Sequence, residues 1–285
     1  LQSRSGRTLI GTSQGTSLLE SGCEFCGACI DVCPTGALVE RNHKWDKAET
    51  KVKSICPQCP VGCQMTLEVS KRNQLVRAIP DIHGAANRGQ GCFRGKFGLD
   101  FVNHRQRLGK PLVRRDGHLE EATWPEALDL VAERLANYTN GSFAMLASPK
   151  GTNEDNYIAQ KFARTVMGTN NVDVSSNIRP ELVKALGDQL LYPAATNSIW
   201  ELEHSSRFLV VSSNMTEEQN VVAVPIKMAL QRGASLIVID QRETELARHA
   251  KVWLRPRPGT EAVLIGGIVR VVLDESLDDH DFLAD

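Results

Sequence analysis

Eight cysteines fall between Cys23 and Cys92, and none lies outside that interval. They form two runs, Cys23-x2-Cys26-x2-Cys29-x3-Cys33-Pro34 and Cys56-x2-Cys59-x3-Cys63-x28-Cys92. A [4Fe-4S] cube takes four thiolates, and short Cys-x2-Cys spacing lets neighbouring thiols reach different irons while Gly and Pro keep the loop tight. Gly27 and Pro34 supply those tight positions in the first run. Each run is therefore read as a cluster site.

The first run is open to two readings. In two-cluster ferredoxin loops the fourth cysteine of such a run ligates the other cluster. On that rule Cys23, Cys26 and Cys29 expect a further thiolate from before Leu1, and Cys33 expects a partner triad that these residues do not contain. The alternative is one self-contained cube on all four. The second run, three close cysteines and one 29 residues on, fits a cube held mainly by one loop and anchored by a distant segment. Zinc is the plainer alternative for both runs. Structural zinc sites, however, pair two Cys-x2-Cys knuckles across a longer gap, and these thiols are denser.

Other chemistry finds little footing. The seven histidines show no i,i+4 pairing or metal spacing, and no nucleophile elbow or phosphate-binding P-loop occurs. With 285 residues, 41% hydrophobic and 24% charged, the chain has the make-up of an ordinary globular protein. A net charge of -1 without a basic block argues against nucleic acid or an anionic membrane surface as partner. No run of about 18 apolar residues is present, so no membrane span is expected. Residues 1–22 lack the apolar core of a secretory signal and the cysteines are spaced for metal, so a reducing, cytoplasmic setting is expected. Because the chain opens on Leu1 rather than Met, an upstream segment is expected too.

The elements that position the cysteines follow from pattern. Residues 1–22 read as a Gly/Ser/Thr-rich connector, Ser21–Leu38 as a compact Cys/Gly/Pro module, and Glu40–Lys53 as a polar linker, with a boundary near residue 50. Gln64–Val69 and Gln74–Ile79 alternate polar and apolar and are expected as short strands of a small β-rich domain. That domain is expected to end near Lys110–Val113, with a turn at Asp116-Gly117. Thr123-Trp124-Pro125-Glu126 has the form of a capping box and opens a helix to about Tyr138. Strands at Phe143–Ala147, Phe208–Val211 and Leu236–Asp240 then alternate with helices at Asn153–Met167, Val221–Arg232 and Glu261–Leu273. Alternation of this kind argues for a doubly wound parallel sheet, with ligand loops at the strand ends: Ser148–Asn153, Ser212–Glu218 and Asp240–Thr244. The expected fold is α/β: a ferredoxin-like module over 1–50, a [4Fe-4S] domain over 51–112 and an α/β domain over 113–285.

Cys56-Pro57-Gln58-Cys59-Pro60-Val61-Gly62-Cys63 and Gly91-Cys92-Phe93-Arg94-Gly95-Lys96-Phe97-Gly98 resemble the segment that opens the large subunit of molybdopterin-dependent formate dehydrogenases. Thr152–Tyr157, Gly168–Asp173, Thr196–Ile199, Ser213–Glu217, Asp240–Thr244 and Arg257–Glu261 match that family's segments in order, and the large iron-sulfur subunit of complex I is related to it.

The resemblance implies a molybdopterin guanine dinucleotide cofactor carrying molybdenum or tungsten. It places Asn214, Thr216 and Glu217 near phosphate and ribose and Asp240, Arg242 and Glu261 near ribose or guanine, although Asp240 and Glu261 are also readable as ordinary caps. Asn153, Gly259 and Thr260 are further cofactor-binding residues on the same resemblance. It makes Arg94 the cation between cluster and pterin, where the family commonly has lysine. It implies flavin- or ferredoxin-linked redox subunits as partners. It also puts Arg179 at the position of the catalytic cysteine or selenocysteine and Pro180 at that of the following histidine. Arginine has no sulfur for a soft metal and stays protonated. Ser175 or Ser176 would be the nearest oxygen ligands if they are not plain loop serines.

Overall fold

The computed structural model describes residues 2–4, 7–9, 11–12, 15–41, 45–138, 140–174, 180–192 and 194–284. Its backbone divides into two compact units, Leu1–Thr196 and Asn197–Asp285. Among the described residues no helix is long and apolar enough to cross a membrane.

The first unit begins with a short hairpin of β1 (Gln2–Arg4) and β2 (Arg7–Leu9), followed by the single-turn α1 (Ala28–Asp31). A three-stranded antiparallel meander comes next: β3 (Thr50–Ile55), β4 (Gln64–Val69) and β5 (Leu75–Pro80). Alternation does what the sequence asks. Met65, Val76 and Ala78 point into the core, as a period of two requires. Glu68 is buried in the middle strand and faces Lys51 on one neighbour and Arg77 on the other, in register with both. Its carboxylate meets Lys51 at 2.9 Å and Arg77 at 2.6 Å. Burial by itself would raise the Glu68 carboxyl, and the two cations overcome it, leaving the group below its ordinary value of 4.5.

Strand β3 corrects the expectation of a linker running to Lys53. Every residue of β3 is exposed, and its lysines are what an unprotected sheet edge carries to discourage further pairing. A short helix α2 (Phe93–Phe97) follows the meander, and β6 (Leu112–Arg115) and β7 (His118–Glu121) form a hairpin. The turn between them is Asp116-Gly117 with φ of 45° and 85°, the left-handed pair a tight hairpin needs. In α3 (Trp124–Leu135), Thr123 and Glu126 form the expected reciprocal capping box.

Strand β8 (Met145–Ala147), helix α4 (Asn153–Thr165) and β9 (Val172–Val174) make a parallel crossover unit. Phe143, expected inside the strand, lies before it and packs edge-on against Phe162 at 6.1 Å. Helix α5 (Pro180–Leu190) completes the unit.

The second unit is built on a parallel sheet in the order β10 (Arg207–Val211), β11 (Ser235–Ile239), β12 (Val252–Leu254). The helices α6 (Met215–Glu218) and α7 (Asn220–Gln231) cross from the first strand to the second, and α8 (Glu245–Arg248) from the second to the third. Val210, Ile226, Leu236, Val238, Leu246 and Ala247 form the core, with Phe208, Leu230 and Trp253 packed on it. Helices α9 (Glu261–Asp274) and α10 (His280–Ala284) close the chain. The α/β alternation thus holds, in small sheets of two and three parallel strands.

Candidate iron-sulfur sites and nucleotide rim

Cys56, Cys59 and Cys63 occupy the tip of the hairpin joining β3 to β4. Strand pairing runs up to Ile55 opposite Gln64, and the Cys56 N–H then donates to the Cys63 carbonyl at 2.9 Å. Gly62 turns the tip with φ of 64°. Cys92 approaches from the far side as the N-cap of α2.

Asn87 brings that segment in. Fully buried, it accepts from the Gln64 N–H at 2.9 Å and donates to the carbonyls of Gln64 at 3.2 Å and Gln90 at 2.8 Å. The sequence reading missed this residue, because nothing near Asn87 along the chain signals a partner 23 positions away.

Gly95 shows how closely the thiols gather. A Cβ on it would lie 3.2 Å from Cys56 Sγ and 4.0 Å from Cys92 Sγ. Burial pushes the Cys63 thiol up to about 12, with the neighbouring sulfurs of Cys56, Cys59 and Cys92 adding to the effect. Cys56 is raised by burial too; the Gln58 N–H opposes this, the Cys92 and Cys59 thiols add to it, and the Arg94 guanidinium pulls the other way. Four sulfurs that would repel one another as thiolates have been drawn into a half-buried cradle. That donor set fits a group rich in positive metal charge. Among the described residues no group of three or more His, Cys, Asp or Glu is disposed to hold a bare metal ion; a cube differs from such a site in spreading its thiolates over separate irons.

The first run is arranged differently. Gly27, with φ of 74°, leads into α1, and the Phe25 N–H donates to Cys23 Sγ at 3.4 Å. Cys23, Cys26 and Cys33 are half-buried and Cys29 is exposed. The backbone N–H of Leu38, the Thr35 hydroxyl and the N–H groups of Thr35 and Ala37 surround Cys33 and bring its thiol down to about 7. Hydrogen bonds to sulfur of this kind also tune a bound cluster.

In the second unit, the expected rim residues stand beyond the carboxyl ends of β10, β11 and β12, where ligands of parallel sheets bind. Asn214 follows β10, is buried, and accepts from the Thr216 hydroxyl at 3.1 Å; Glu217 is in the same turn of α6. Asp240 follows β11, is buried, and accepts from the Arg242 N–H at 2.8 Å, with the Arg242 side chain 4.0 Å away. Its carbonyl takes the Trp253 indole N–H at 2.9 Å.

Beyond β12, Gly259 has φ of 81°, the Thr260 hydroxyl donates to the Arg257 carbonyl at 2.8 Å, and Glu261 accepts from the Gln241 side chain. Asp240 and Glu261 therefore do act as local acceptors, as caps would. Buried acceptors at strand ends also suit the hydroxyls and base edge of a nucleotide, and the N–H groups at helix starts suit its phosphates. In the first unit, Asn153 opens α4 behind the Thr152–Asp155 capping box. Arg179, Ser175, Ser176 and His43 lie outside the described residues.

Comparison with known proteins gives this arrangement its context. Residues 18–39 match the 4Fe-4S binding domain, 49–104 the molybdopterin oxidoreductase Fe4S4 domain, and 107–282 molybdopterin oxidoreductase. The chain is 37% identical over 233 residues to the F420-dependent formate dehydrogenase 1 subunit alpha of Methanococcus maripaludis, covering 81% of this chain and 34% of that one. It is 34% identical over 276 residues to an NADH-quinone oxidoreductase subunit from Rhizobium meliloti, covering 92% and 31%. It thus spans about a third of the length of these relatives. The solved structure of acetylene hydratase from Pelobacter acetylenicus shares the fold with a TM-score of 0.64 at 21% identity, over 83% of this chain and 33% of that one. The chain belongs to the molybdopterin oxidoreductase family, with two iron-sulfur domains ahead of its molybdopterin oxidoreductase domain.

Proposed function

We propose that the chain is the electron-relaying part of a formate dehydrogenase-like oxidoreductase, in which Cys56, Cys59, Cys63 and Cys92 hold one [4Fe-4S] cube. The observation that carries this is the placing of the Cys56 and Cys92 sulfurs beside Gly95, with Cys59 and Cys63 on the same hairpin tip as Cys56. Cys23, Cys26, Cys29 and Cys33 take part in one or two further cubes. A molybdenum or tungsten bis-pterin, when bound, supplies the two-electron chemistry between formate and carbon dioxide, and iron-sulfur cubes supply one-electron transfer.

The remaining work belongs to this chain's side chains. Asn214, Thr216 and Glu217 orient phosphate and ribose. Asp240, Arg242, Gly259, Thr260 and Glu261 receive ribose or guanine; in the first unit, Asn153 is a cofactor-binding residue on the family resemblance. Arg94, whose charge is already felt at Cys56, keeps a cation beside the relay. Electrons leave or enter through flavin- or ferredoxin-linked subunits in a reducing, cytoplasmic setting.

A second reading rests on Arg179. With arginine at the expected ligand position and proline after it, the chain would relay electrons without binding a catalytic metal itself, and one of the relatives is named for NADH-quinone rather than formate chemistry. Iron, sulfide, molybdenum and tungsten analysis of the intact protein, with formate-dependent dye reduction, separates the two. Iron with molybdenum or tungsten and turnover supports the first; iron alone, with reducible cubane signals and no turnover, supports the second. Zinc in place of iron defeats both.

A further inference from the structure

Helix α2 faces both cysteine runs. Through Gly95 it lies against the sulfurs of Cys56 and Cys92, and through the next residue, Lys96, it reaches the first loop. The Lys96 side chain is 2% exposed, and its ammonium pairs with the carboxylate of Asp31, which is 21% exposed and lies between Cys29 and Cys33. The stem is enclosed as well. A Cβ on Gly27 would fall 2.5 Å from Lys96 Cδ, 2.8 Å from Cε and 2.8 Å from Phe97 Cζ, so the loop seats on this side chain because it has glycine there. The ammonium is 5.9 Å from the Phe97 ring centre.

Burying an ammonium is costly unless it is paired, and such a pair adds little net stability compared with apolar packing. What it does provide is register and local charge. We propose that Lys96 is a positioning residue between the two cluster sites: with Asp31 it seats the first cysteine loop on α2, and the pair's charges balance the reduction potential of the cluster held by that loop. The inference rests on the reading that both runs bind cubes.

Charge near a cube acts on its potential, strongly where water is excluded. Removing only the lysine leaves the Asp31 carboxylate beside the loop and makes adding an electron harder. Removing only the carboxylate charge leaves a buried ammonium and makes it easier. A part that was merely structural would not produce shifts of opposite sign.

The test is redox titration of the intact, cluster-loaded protein, followed by low-temperature electron paramagnetic resonance. Lys96→Met is expected to raise the oxidised-to-reduced ratio of the first-loop cluster at fixed potential roughly tenfold, ~59 mV downward for a one-electron couple. Asp31→Asn is expected to move it about as far upward. Lys96→Arg is expected to return the ratio close to wild type, since guanidinium pairs well with carboxylate.

Shifts of the same sign, or none, with both cubane signals intact, overturn the proposal. If Lys96→Met loses the first signal altogether, the sign for Asp31→Asn decides, an upward shift sustaining the proposal and any other result overturning it. Wild-type protein with no cubane signal from the first run would instead overturn the functional reading on which it rests.

Discussion

Around Cys56 and Cys63 the chain draws its thiols under strand pairing and a helix N-terminus, and burial pushes Cys63 up to about 12. Around Cys33 it leaves the thiol in a loop whose N–H groups bring it down to about 7. The buried set gathers sulfurs that need metal charge to coexist as thiolates, at a tip already held by strand pairing and by Asn87. The loop set aims backbone N–H groups and a hydroxyl at one sulfur, that of Cys33. The difference teaches that equal numbers of cysteines at similar spacing can sit in opposite surroundings, one a pinned hairpin tip and the other a loop with little core of its own, and a site of the second kind is the one whose folding leans most on bound metal.

The sharpest way to break that contrast is to remove one thiol from each set. Cys63→Ser is expected to abolish its cube, lowering iron content by about four per chain, while Cys33→Ser leaves the signal of the other cube unchanged. Iron analysis and paramagnetic resonance of both variants check this. Loss of both cubane signals in the Cys33→Ser variant would end the distinction.

A smaller effect tests the seam against the open loop. Gly27 and Gly36 both have positive φ, at 74° and 65°, but only Gly27 has neighbours in the way of a Cβ. Gly27→Ala is expected to cost about 3 kcal/mol and Gly36→Ala about 1 kcal/mol, read as shifts in urea midpoint of the cluster-loaded protein.

The smallest effect concerns the sheet beneath the buried set. Glu68→Gln is expected to cost roughly 1–2 kcal/mol, since both its cations keep some contact with water. Because its folded pKa lies below the ordinary 4.5, the contribution is present above that value and is lost as pH falls through the lower folded one. Wild type should therefore lose stability more steeply than the variant below about pH 4, and thermal melting across that range checks it.

Legibility in the sequence followed locality. The cysteine runs, the Thr123 capping box and the Asp116-Gly117 turn each depend on residues a few positions apart, so spacing alone exposed them. The alternation of β5 was legible because one face of it is buried, and that of β4 because its apolar residues share a face, although Glu68 is buried on the other. Strand β3 was not, since its lysines and full exposure gave it the look of a linker until its partner was known. Asn87 and the Lys96–Asp31 pair were invisible for a different reason: their partners lie 23 and 65 residues away, and no local pattern encodes a contact at that range. The rim beyond β10, β11 and β12 was proposed by combining a topological rule with family resemblance, and its polar residues are also explicable as caps by their local bonds.

The hairpin tip has a consequence for the order of events as the protein matures. Three of the four thiols fall within Cys56–Cys63, in a loop already closed at its base by pairing of Ile55 with Gln64. Capturing the fourth, Cys92, closes a much longer stretch of chain, and closure entropy rises with length. On the proposed ligand set, metal arriving at the tip would be held by three sulfurs before α2 docks, and binding Cys92 would then act as a clasp that fastens the helix to the sheet. Release would run in reverse, with Cys92 the first thiolate to let go.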